Sequence, residues 1–419
     1  RYSKILSAKT SPNKLRPRMK PPDITIQELI ALAQMPARTE VLPLAQAFDR
    51  VLAADVVATM DVPSFDNSAM DGYALAAPDG FDACTVFKVV QRIRAGDAAE
   101  AGSILQAGQA ARIFTGAPIP QGTTQVVMQE QCAVDGVDLT TQAICAQGQH
   151  IRRRAEDVAT GSVLLRKGEW VTPASASLIA SMGLAQVEVK ARLRVALITT
   201  GSELVELGVP LQSGQIYNSN RYALLGLLRN WGCDVVLDAH VVDDLAVTTE
   251  LLSRAAQSSD LIVTVGGASV GEEDYVKAAI ATLGEIHGWQ VAMKPGKPLI
   301  YGRVASTPLM GLPGNPVSSF VTACLCLRPY IRARLGALKV EPQYLNVTAA
   351  FEWRKPDMKR VEFVRAVMNN GVVQLSGAQG SAVMTGLANA EVLVRLEAGQ
   401  SVARGDEVRV VLMAELTGL

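Results

Sequence analysis

Aromatic residues and long apolar runs are both scarce in this chain, and each scarcity excludes something. Aromatic residues make up 5% of the 419 residues, whereas 49% are hydrophobic, so the cores must rest on Val, Leu, Ile and Ala. A membrane-spanning helix needs about 18 or more consecutive apolar residues, and no run in the sequence is that long. We therefore predict a globular chain without membrane association.

Cysteine and histidine are too few and too scattered for a zinc site or a disulfide scaffold. The six cysteines include no CxxC pair, and the three histidines, His150, His240 and His287, lie far apart in the sequence. Zinc sites and small disulfide-rich domains both depend on closely spaced ligands or cysteines. We predict buried thiols in a reducing compartment and a cytoplasmic location.

Neither sign of charge is in excess, because 40 Lys and Arg residues balance 40 Asp and Glu residues. Non-specific binding of nucleic acid relies on a basic surface, so we predict no nucleic-acid partner, while a local anion pocket stays open. The first 20 residues depart from this balance, with seven Lys or Arg and no acid. They are compatible with a transit sequence, but we assign residues 1–22 to a disordered or vector-derived tail.

The chain does contain an alternation of element types that predicts several domains. Its length corresponds to about two to four domains. We predict a multidomain α/β plus β fold. Its parts are a helical and extended N-terminal domain (23–62 and 149–190), an inserted small β domain (63–148), a central parallel α/β domain (191–336) and a C-terminal β barrel (342–419).

Helical spacing and capping residues predict the elements of the N-terminal domain. The stretch "ITIQELIALA" has helical periodicity, and "VLPLAQAFDRVLAADVVA" is predicted to be a second helix that runs into a strand. In "VTPASASLIASMGL", Thr172 is the predicted N-cap, Pro173 the first helical residue and Gly183 the end of the helix. The residues placed on one face of the first helix are Ile24, Leu29, Ile30 and Leu32.

In the next part of the chain, apolar strands alternate with helices, which predicts parallel strands joined by crossover helices. "LRVALITTGSEL" is interpreted as a strand, a turn and a helix start, and "DLIVTVGGASVGEEDYVKAAIATL" as a strand, a Gly-rich turn and a helix. From about Pro342 the chain returns to short strands, and no helix is evident there.

Loops that follow the strands of the α/β domain are the first candidates for a binding site, because ligands gather at the carboxyl ends of parallel strands. "TGSEL" and "GGASVG" supply glycines and hydroxyls that suit a phosphate, and "GLPGNPVSS" forms a third such turn. None is a Walker A or GxGxxG motif, and ordinary strand–helix turns remain the alternative. The candidate cradle residues are Thr200, Gly201, Ser202, Gly266, Gly267, Ser269, Gly271, Pro313, Gly314 and Asn315.

Three acids, Glu203, Asp243 and Asp274, each follow a predicted strand and are therefore expected at one edge of the sheet. Carboxylates beside phosphates favour Mg²⁺, which prefers hard oxygen ligands. Each acid taken alone is equally compatible with a helix N-cap or a solvated charge.

The stretch "KPGKP" places Lys294 and Lys297 around a stiff bend. Prolines fix φ and remove N–H donors, and Gly296 permits the bend between them. Two ammonium groups held in this way suit a non-planar oxyanion, although a solvated surface turn is the simpler interpretation of the stretch by itself.

Seven motifs occur in the order seen in molybdopterin molybdenumtransferases, the family of the bacterial MoeA proteins and the gephyrin E-domains. They are "DNSAMDGYAL", "RIFTGAPIP", "IRRRAEDV", "TTGSEL", "GGASVGEEDY", "KPGKP" and "GLPGNPVSS". The resemblance covers about residues 23–417. It departs from the family at Ala268, where valine is more usual, and in "KRVEFVRA", a looser version of "RPEFHRA".

The resemblance implies a homodimer that inserts molybdenum from molybdate into the dithiolene of adenylylated molybdopterin, with Mg²⁺-dependent hydrolysis of the adenylate. It places Asp71, Thr115 and Asp157 in a cleft that faces the partner's α/β domain, and Glu203, Asp243 and Asp274 at the metal and adenylate. It further implies a molybdopterin adenylyltransferase and acceptor molybdoenzymes as partners. The implied molybdate-binding residues are Lys294, Lys297, Ser318, Arg360 and Ser381.

Two other functions stay open at this stage. A molybdopterin adenylyltransferase shares the α/β domain, so "GGASVGEEDY" alone does not separate it from the insertase. A non-catalytic scaffold that binds receptor peptides is the second alternative, and the presence of the acids and both lysines argues against a purely structural role.

Overall fold

The computed structural model describes residues 19–33, 38–78, 81–82, 85–98, 104–142, 146–267 and 275–418. The predicted fold class is confirmed, because a mixed α/β domain stands between N-terminal β units and a C-terminal β barrel. Among the described residues, no helix has both the length and the apolar character that crossing a bilayer requires.

The elements before the α/β domain are mostly short strands. They are α1 (Pro22–Leu32), β1 (Thr39–Pro43), β2 (Val56–Val57), β3 (Asn67–Ser68), β4 (Gly72–Leu75), β5 (Val86–Ile93), β6 (Gln109–Ile113), β7 (Gln125–Met128), β8 (Cys132–Asp135), β9 (Asp138–Thr141), β10 (Ile151–Arg152), β11 (Val163–Leu165), α2 (Pro173–Ser181) and β12 (Gln186–Lys190).

The remaining elements form the α/β domain and the barrel. They are β13 (Leu193–Thr200), β14 (Leu204–Val205), β15 (Ile216–Tyr217), α3 (Ser219–Asn230), β16 (Cys233–Val241), α4 (Leu245–Ser258), β17 (Leu261–Val265), α5 (Tyr275–Leu283), β18 (Gly284–Gln290), β19 (Met293–Lys294), β20 (Pro298–Val304), β21 (Thr307–Leu312), α6 (Pro316–Thr322), α7 (Arg328–Arg334), β22 (Leu345–Ala349), β23 (Val361–Asn369), β24 (Val372–Leu375), α8 (Met384–Ala388), β25 (Val392–Leu396), β26 (Glu407–Leu412) and α9 (Met413–Thr417).

Helix α1 is present as predicted, but the predicted buried face is partly wrong. Ile26 and Leu29 are buried in the main core, whereas Ile24 and Leu32 are about half exposed. Ile26, Leu29 and Ala33 follow the i, i+3, i+7 spacing of one helix face. The four residues predicted to be buried do not follow that spacing. The tail assigned to residues 1–22 also extends too far, because Lys20 pairs with Val291 and Pro22 begins the helix.

The predicted second helix in "VLPLAQAFDRVLAADVVA" is wrong. The segment begins as the end of β1, continues as a single 3₁₀ turn at Leu44–Gln46, and reaches β2 without an α-helix. β1 pairs antiparallel with β12, which lies about 150 residues away in the chain, as in the pair Thr39 and Lys190. Pro43 interrupts the helical pattern, and the long-range pairing decides the outcome. Helix α2, in contrast, has the predicted Thr172 cap, whose side chain accepts the Ser175 N–H.

The inserted β domain is a six-stranded sheet in the order β7-β4-β6-β5-β9-β8. Strand β4 lies between β6 and β7 and pairs antiparallel with both. Asp71 directly precedes β4 and Thr115 follows β6. Because Gly72 pairs with Ile113, these two polar residues lie at the same end of the two strands.

The α/β sheet has the order β16-β13-β17-β21-β20-β18, and the prediction of purely parallel pairing is wrong for one edge. β16, β13, β17 and β21 are parallel, whereas β20 pairs antiparallel with β21 and β18. A short connection between β20 and β21 permits only a hairpin. The helix start predicted after "TGSEL" is also wrong, because the turn leads into the short strand β14.

The C-terminal strands close into a barrel, since β23, β24, β22, β26 and β25 pair in sequence and β25 returns to β23. The absence of helices predicted for this region is wrong, because α8 and α9 are short helices. Each has five residues, which is too short for a clear helical periodicity.

Strand β19 joins the barrel to the α/β domain. It pairs parallel with β23, with Lys294 opposite Glu362, and β20 of the α/β sheet begins only at Pro298. The "KPGKP" bend therefore connects a strand paired with the barrel to a strand of the α/β sheet. It lies at the junction of two domains, with one lysine on the barrel side.

Cys233, Cys324 and Cys326 are buried free thiols. Burial raises the pKa of Cys233 and of Cys326 to about 12 and also raises the pKa of Cys324. These three match the predicted buried thiols, and Cys132 is partly exposed. Cys84 and Cys145 lie outside the described residues.

Candidate functional site

A cavity of about 960 Å³ opens at the carboxyl ends of the parallel strands, between the α/β domain and the barrel. It is large enough for a drug-sized or larger ligand. Most of the residues predicted from the loops line it. They are Thr200, Gly201, Glu203, Asp243, Gly266, Gly267, Lys294, Lys297, Pro313, Gly314, Asn315, Ser318, Arg360 and Ser381.

Glycines let the backbone of the cradle loops close on the cavity. Gly266 has φ +91, and a Cβ there would lie 2.6 Å from the Thr200 hydroxyl oxygen. Nearby, the Asn220 side chain donates to the Gly314 carbonyl at 2.7 Å and joins the third predicted turn to α3. The loops are therefore packed against each other, and their glycines line the cavity without a side chain.

The acidic wall of the cavity comes from the loops after β13 and β16. The Ser202 N–H donates to Asp243 Oδ2 at 2.9 Å, and the Ser202 hydroxyl accepts the Asp243 N–H at 3.1 Å. Ser202 thus orients Asp243 through two hydrogen bonds, although Ser202 does not itself line the cavity. Glu203 lines it beside Gly201, where a Cβ would lie 2.4 Å from the carboxylate.

Asp243 and Glu203 are the described candidates for holding a Mg²⁺ ion, because both carboxylates line the cavity. No group of three His, Cys, Asp or Glu side chains close enough to hold a metal occurs among the described residues. Mg²⁺ is commonly held by one or two carboxylates together with phosphate oxygens and water, and Asp243 and Glu203 are side chains of that kind. Asp274, Ser269 and Gly271 lie outside the described residues.

The cationic wall comes from the "KPGKP" bend and the barrel. Lys294 Nζ lies 2.9 Å from Glu362 Oε1, and Arg360 donates to Asp357 Oδ2 through Nε at 2.8 Å. Lys297 is exposed to the cavity and has no carboxylate within 4 Å among the described residues. Of the three cations of this wall, Lys294 and Arg360 form ion pairs with carboxylates of the described residues, and Lys297 does not.

Sequence reasoning missed Glu362 and Trp353, which also line this wall. The only local signal was an acid inside a strand whose neighbours are apolar. Sequence reasoning did predict Ser381 and Ser318, and the backbone connects them, because the Val317 N–H donates to the Ser381 carbonyl at 3.1 Å.

Besides Ser202, three other predicted residues are not part of this cavity in one chain. Asp71 and Thr115 meet in the inserted domain, where the Thr115 N–H and hydroxyl donate to Asp71 Oδ1 at 2.8 and 2.9 Å. These two bonds, the backbone bond first, hold the pKa of Asp71 below its usual value. Asp157 is exposed, and its N–H donates to the Val62 carbonyl.

Replacing Gly296 by alanine is expected to distort the bend that carries both lysines. Gly296 has φ +108, and a Cβ would lie 2.3 Å from the Thr322 hydroxyl oxygen, which is fully buried. Strain and clash together should lower the free energy of unfolding by about 2 kcal/mol or more, measured by urea denaturation. Gly405→Ala is the matched control, because φ there is +95 and nothing lies within 4 Å. Equal losses in the two variants would contradict the close packing of the bend.

Three family profiles match successive parts of the chain. "MoeA N-terminal region (domain I and II)" matches residues 24–183, "Probable molybdopterin binding domain" matches 196–333, and "MoeA C-terminal region (domain IV)" matches 346–413. The matched regions together contain the cavity, the inserted domain and the barrel.

Curated relatives and solved structures agree with these matches. A molybdopterin molybdenumtransferase of Haemophilus influenzae is 38% identical over 91% of this chain and 96% of its own length. Molybdopterin molybdenumtransferase 2 of Mycobacterium tuberculosis is 40% identical over 92% of this chain and 97% of its own length. The crystal structure of a molybdopterin biosynthesis MoeA protein from Pyrococcus horikoshii OT3 superposes with a TM-score of 0.81 at 27% identity, covering 94% of this chain and all of that one.

Proposed function

Because this chain belongs to the molybdopterin molybdenumtransferase (MoeA) family, we propose that its cavity binds molybdate and adenylylated molybdopterin together. The chain is a transferase of molybdenum cofactor biosynthesis. The proposal adds that molybdenum enters the dithiolene of the adenylylated substrate, and that hydrolysis of the adenylate releases AMP and the finished cofactor.

The observation that carries the proposal is the division of one cavity into an acidic and a cationic wall. Glu203 and Asp243 line one wall, while Lys294, Lys297 and Arg360 line the other. A dianionic tetrahedral oxyanion is held best by charge-assisted donors. The pyrophosphate of the adenylylated substrate needs a cation between it and the carboxylates, and Mg²⁺ would supply that charge. A volume of about 960 Å³ lies at the upper end of the range for ligand pockets, which agrees with a large substrate.

The residues of this chain divide the work between them. Lys297 and Arg360 attract and hold molybdate, and the Gly-rich loops donate backbone N–H groups to phosphate oxygens. Glu203 and Asp243 would hold Mg²⁺, which supplies charge neutralisation and polarises the P–O bond under attack. Ser202 keeps Asp243 oriented through the two bonds described above.

We also propose that the active molecule is a homodimer in which Asp71, Thr115 and Asp157 complete the cavity of the partner. What supports this is their separation from the cavity of their own chain, together with the hydrogen bonds that keep Asp71 ionised and fixed. A molybdopterin adenylyltransferase and acceptor molybdoenzymes are the proposed partners in the cytoplasm. The buried thiols of Cys233, Cys324 and Cys326 support a reducing compartment.

The alternative of a molybdopterin adenylyltransferase involves only the α/β domain. It leaves unexplained why Arg360, Ser381 and Trp353 of the barrel line the same cavity. The scaffold alternative leaves the two charged walls without a role.

The deciding experiment measures AMP release from adenylylated molybdopterin by the purified full-length chain with Mg²⁺, with and without molybdate. We expect AMP release to depend on both ions and to yield cofactor that activates an apo-molybdoenzyme. AMP release that ignores molybdate, or adenylylation of molybdopterin from ATP without any AMP release from the adenylate, would refute the proposal.

A further inference from the structure

Glu362 is a buried carboxylate that no part of the proposed chemistry uses directly. It lies in β23, whose neighbouring residues Val361, Phe363 and Val364 are buried, and it is itself only 2% exposed. A buried carboxylate is costly unless it is fully hydrogen-bonded and paired. Its partners therefore indicate why an acid is at this position.

Two of the three partners of Glu362, Lys294 and Trp353, line the cavity, and the third is the backbone of Asp357. Oε1 accepts the Lys294 ammonium at 2.9 Å, and Oε2 accepts the Trp353 indole N–H and the Asp357 backbone N–H, both at 2.8 Å. Two donors on one oxygen prevent the carboxylate from rotating. The β19–β23 pairing places Lys294 opposite Glu362, so both the backbone and the side chain of the lysine are fixed.

The neighbouring cation is held by the same short segment. Asp357 donates its N–H to Glu362, while its carboxylate accepts Arg360 Nε at 2.8 Å and Nη2 at 2.5 Å. Asp357 Oδ1 also accepts the Lys359 and Arg360 N–H groups, each at 3.0 Å. Glu362 and Asp357 together therefore fix two of the three cations of the wall.

We propose that Glu362 is a positioning residue that makes the site select molybdate by size. Its carboxylate holds the Lys294 ammonium at one place on the cavity wall, so that the donors have a fixed spacing. This inference rests on the proposed function, because it takes molybdate to be the anion that meets this wall.

The physical reason is that charge and shape alone do not separate molybdate from sulfate. Both are tetrahedral dianions, and sulfate is the smaller. A flexible lysine adapts to either ion, since its four-carbon stem has many rotamers. A lysine that is held by a buried carboxylate presents one spacing, and specificity then follows from the poorer fit of the wrong ion. Preorganised donors also avoid the entropy cost of ordering the side chain on binding.

The charges on the wall agree with this role. Lys294, Lys297 and Arg360 carry three positive charges, and Glu362 and Asp357 cancel two of them. A wall built only to attract anions would not place two carboxylates behind its cations. The remaining charge of Lys297 is enough to attract a dianion, while the two held cations set the geometry.

The test compares the dissociation constants of molybdate and sulfate for the full-length chain, by calorimetric titration. Glu362→Gln keeps the size of the side chain and an oxygen for Trp353 but removes the ion pair. We expect the ratio of the sulfate constant to the molybdate constant to fall by about fivefold or more, which corresponds to about 1 kcal/mol of lost discrimination. A purely structural role would raise both constants in parallel and leave the ratio unchanged, and that result would overturn the inference.

A double-mutant cycle tests whether Glu362 acts through Lys294. Lys294→Ala alone should lower the same ratio, and adding Glu362→Gln should change it no further. Glu362→Asp retains the charge but retracts the carboxylate, so it should also lower the ratio. The Glu362→Asp variant replaces Glu362→Gln in this test if the glutamine variant does not fold. Glu397→Gln is the control, because Glu397 pairs with Arg395 in the same barrel outside the cavity.

Failure of this inference is distinguishable from failure of the proposed function. If wild-type AMP release does not depend on molybdate, the proposed function fails. If wild-type release depends on molybdate but the variants keep the wild-type ratio, only the role of Glu362 is overturned.

Discussion

Lys297→Ala is expected to raise the KM for molybdate by about 10- to 100-fold while leaving the unfolding midpoint unchanged. A charge-assisted hydrogen bond contributes about 1.5–3 kcal/mol, and Lys297 is the cation of the wall with no carboxylate within 4 Å among the described residues. Because Lys297 has no such ion pair, its removal leaves no buried charge behind. The measurement is molybdate-dependent AMP release together with thermal unfolding.

Lys294→Ala should give a different result. It leaves Glu362, which is 2% exposed, without its ion-pair partner, and an unpaired buried charge destabilises a fold. The half-exposed Lys294 reduces that loss through solvent screening, so we expect a lower unfolding midpoint together with weaker molybdate binding. Lys359→Ala serves as control, since Lys359 lies beside Arg360 but outside the cavity. Identical behaviour of the two cavity-lysine variants would contradict the distinction between them.

Asp243→Asn is expected to slow adenylate hydrolysis by about 100-fold or more, with a much smaller effect on binding of the molybdopterin substrate. Asparagine retains an oxygen that accepts the Ser202 N–H, which Asp243 now accepts at 2.9 Å, so the loop keeps its shape. What is lost is the negative charge beside the pyrophosphate. Removal of a single electrostatic group at a reaction centre typically costs about 10²–10³ in rate.

The measurement is AMP release across a Mg²⁺ titration, with substrate binding followed separately. Asp244→Asn provides a close control, because Asp244 is the next residue, caps α4 through the Val247 N–H and does not line the cavity. Asparagine is an equally good N-cap. An unchanged Mg²⁺ requirement in Asp243→Asn, or an equal loss in both variants, would count against the metal role of Asp243. The sequence leads us to expect the same loss from Asp274→Asn.

Local signals in the sequence predicted the elements that depend on local physics. Thr172 and Pro173 fix the start of α2, and the alternation of apolar strands with helices gave the parallel part of the α/β sheet. The Gly-rich turns were predicted because a bend at positive φ favours glycine whatever surrounds it. The cradle residues that were predicted and described therefore lie where strands end.

Errors arose where distant segments decided the structure. β1 forms through pairing with β12, and no feature of "VLPLAQ" reports a partner so far along the chain. The exposure of Ile24 depends on how α1 packs against the α/β domain. Tertiary contacts decide the outcome in both cases, through strand pairing in the first and through helix packing in the second.

The sequence by itself determined the family, the order of the domains and most of the residues that reach the cavity, because ordered motifs and strand-end loops are local properties. Only the tertiary structure decided how the two lysines of "KPGKP" differ. β19 leaves the α/β domain and pairs with β23, and that pairing brings Glu362 to Lys294 across 68 residues of chain. Spacing in the sequence fixes the separation of two charges along the chain, but the packing of another domain decides which of them is paired.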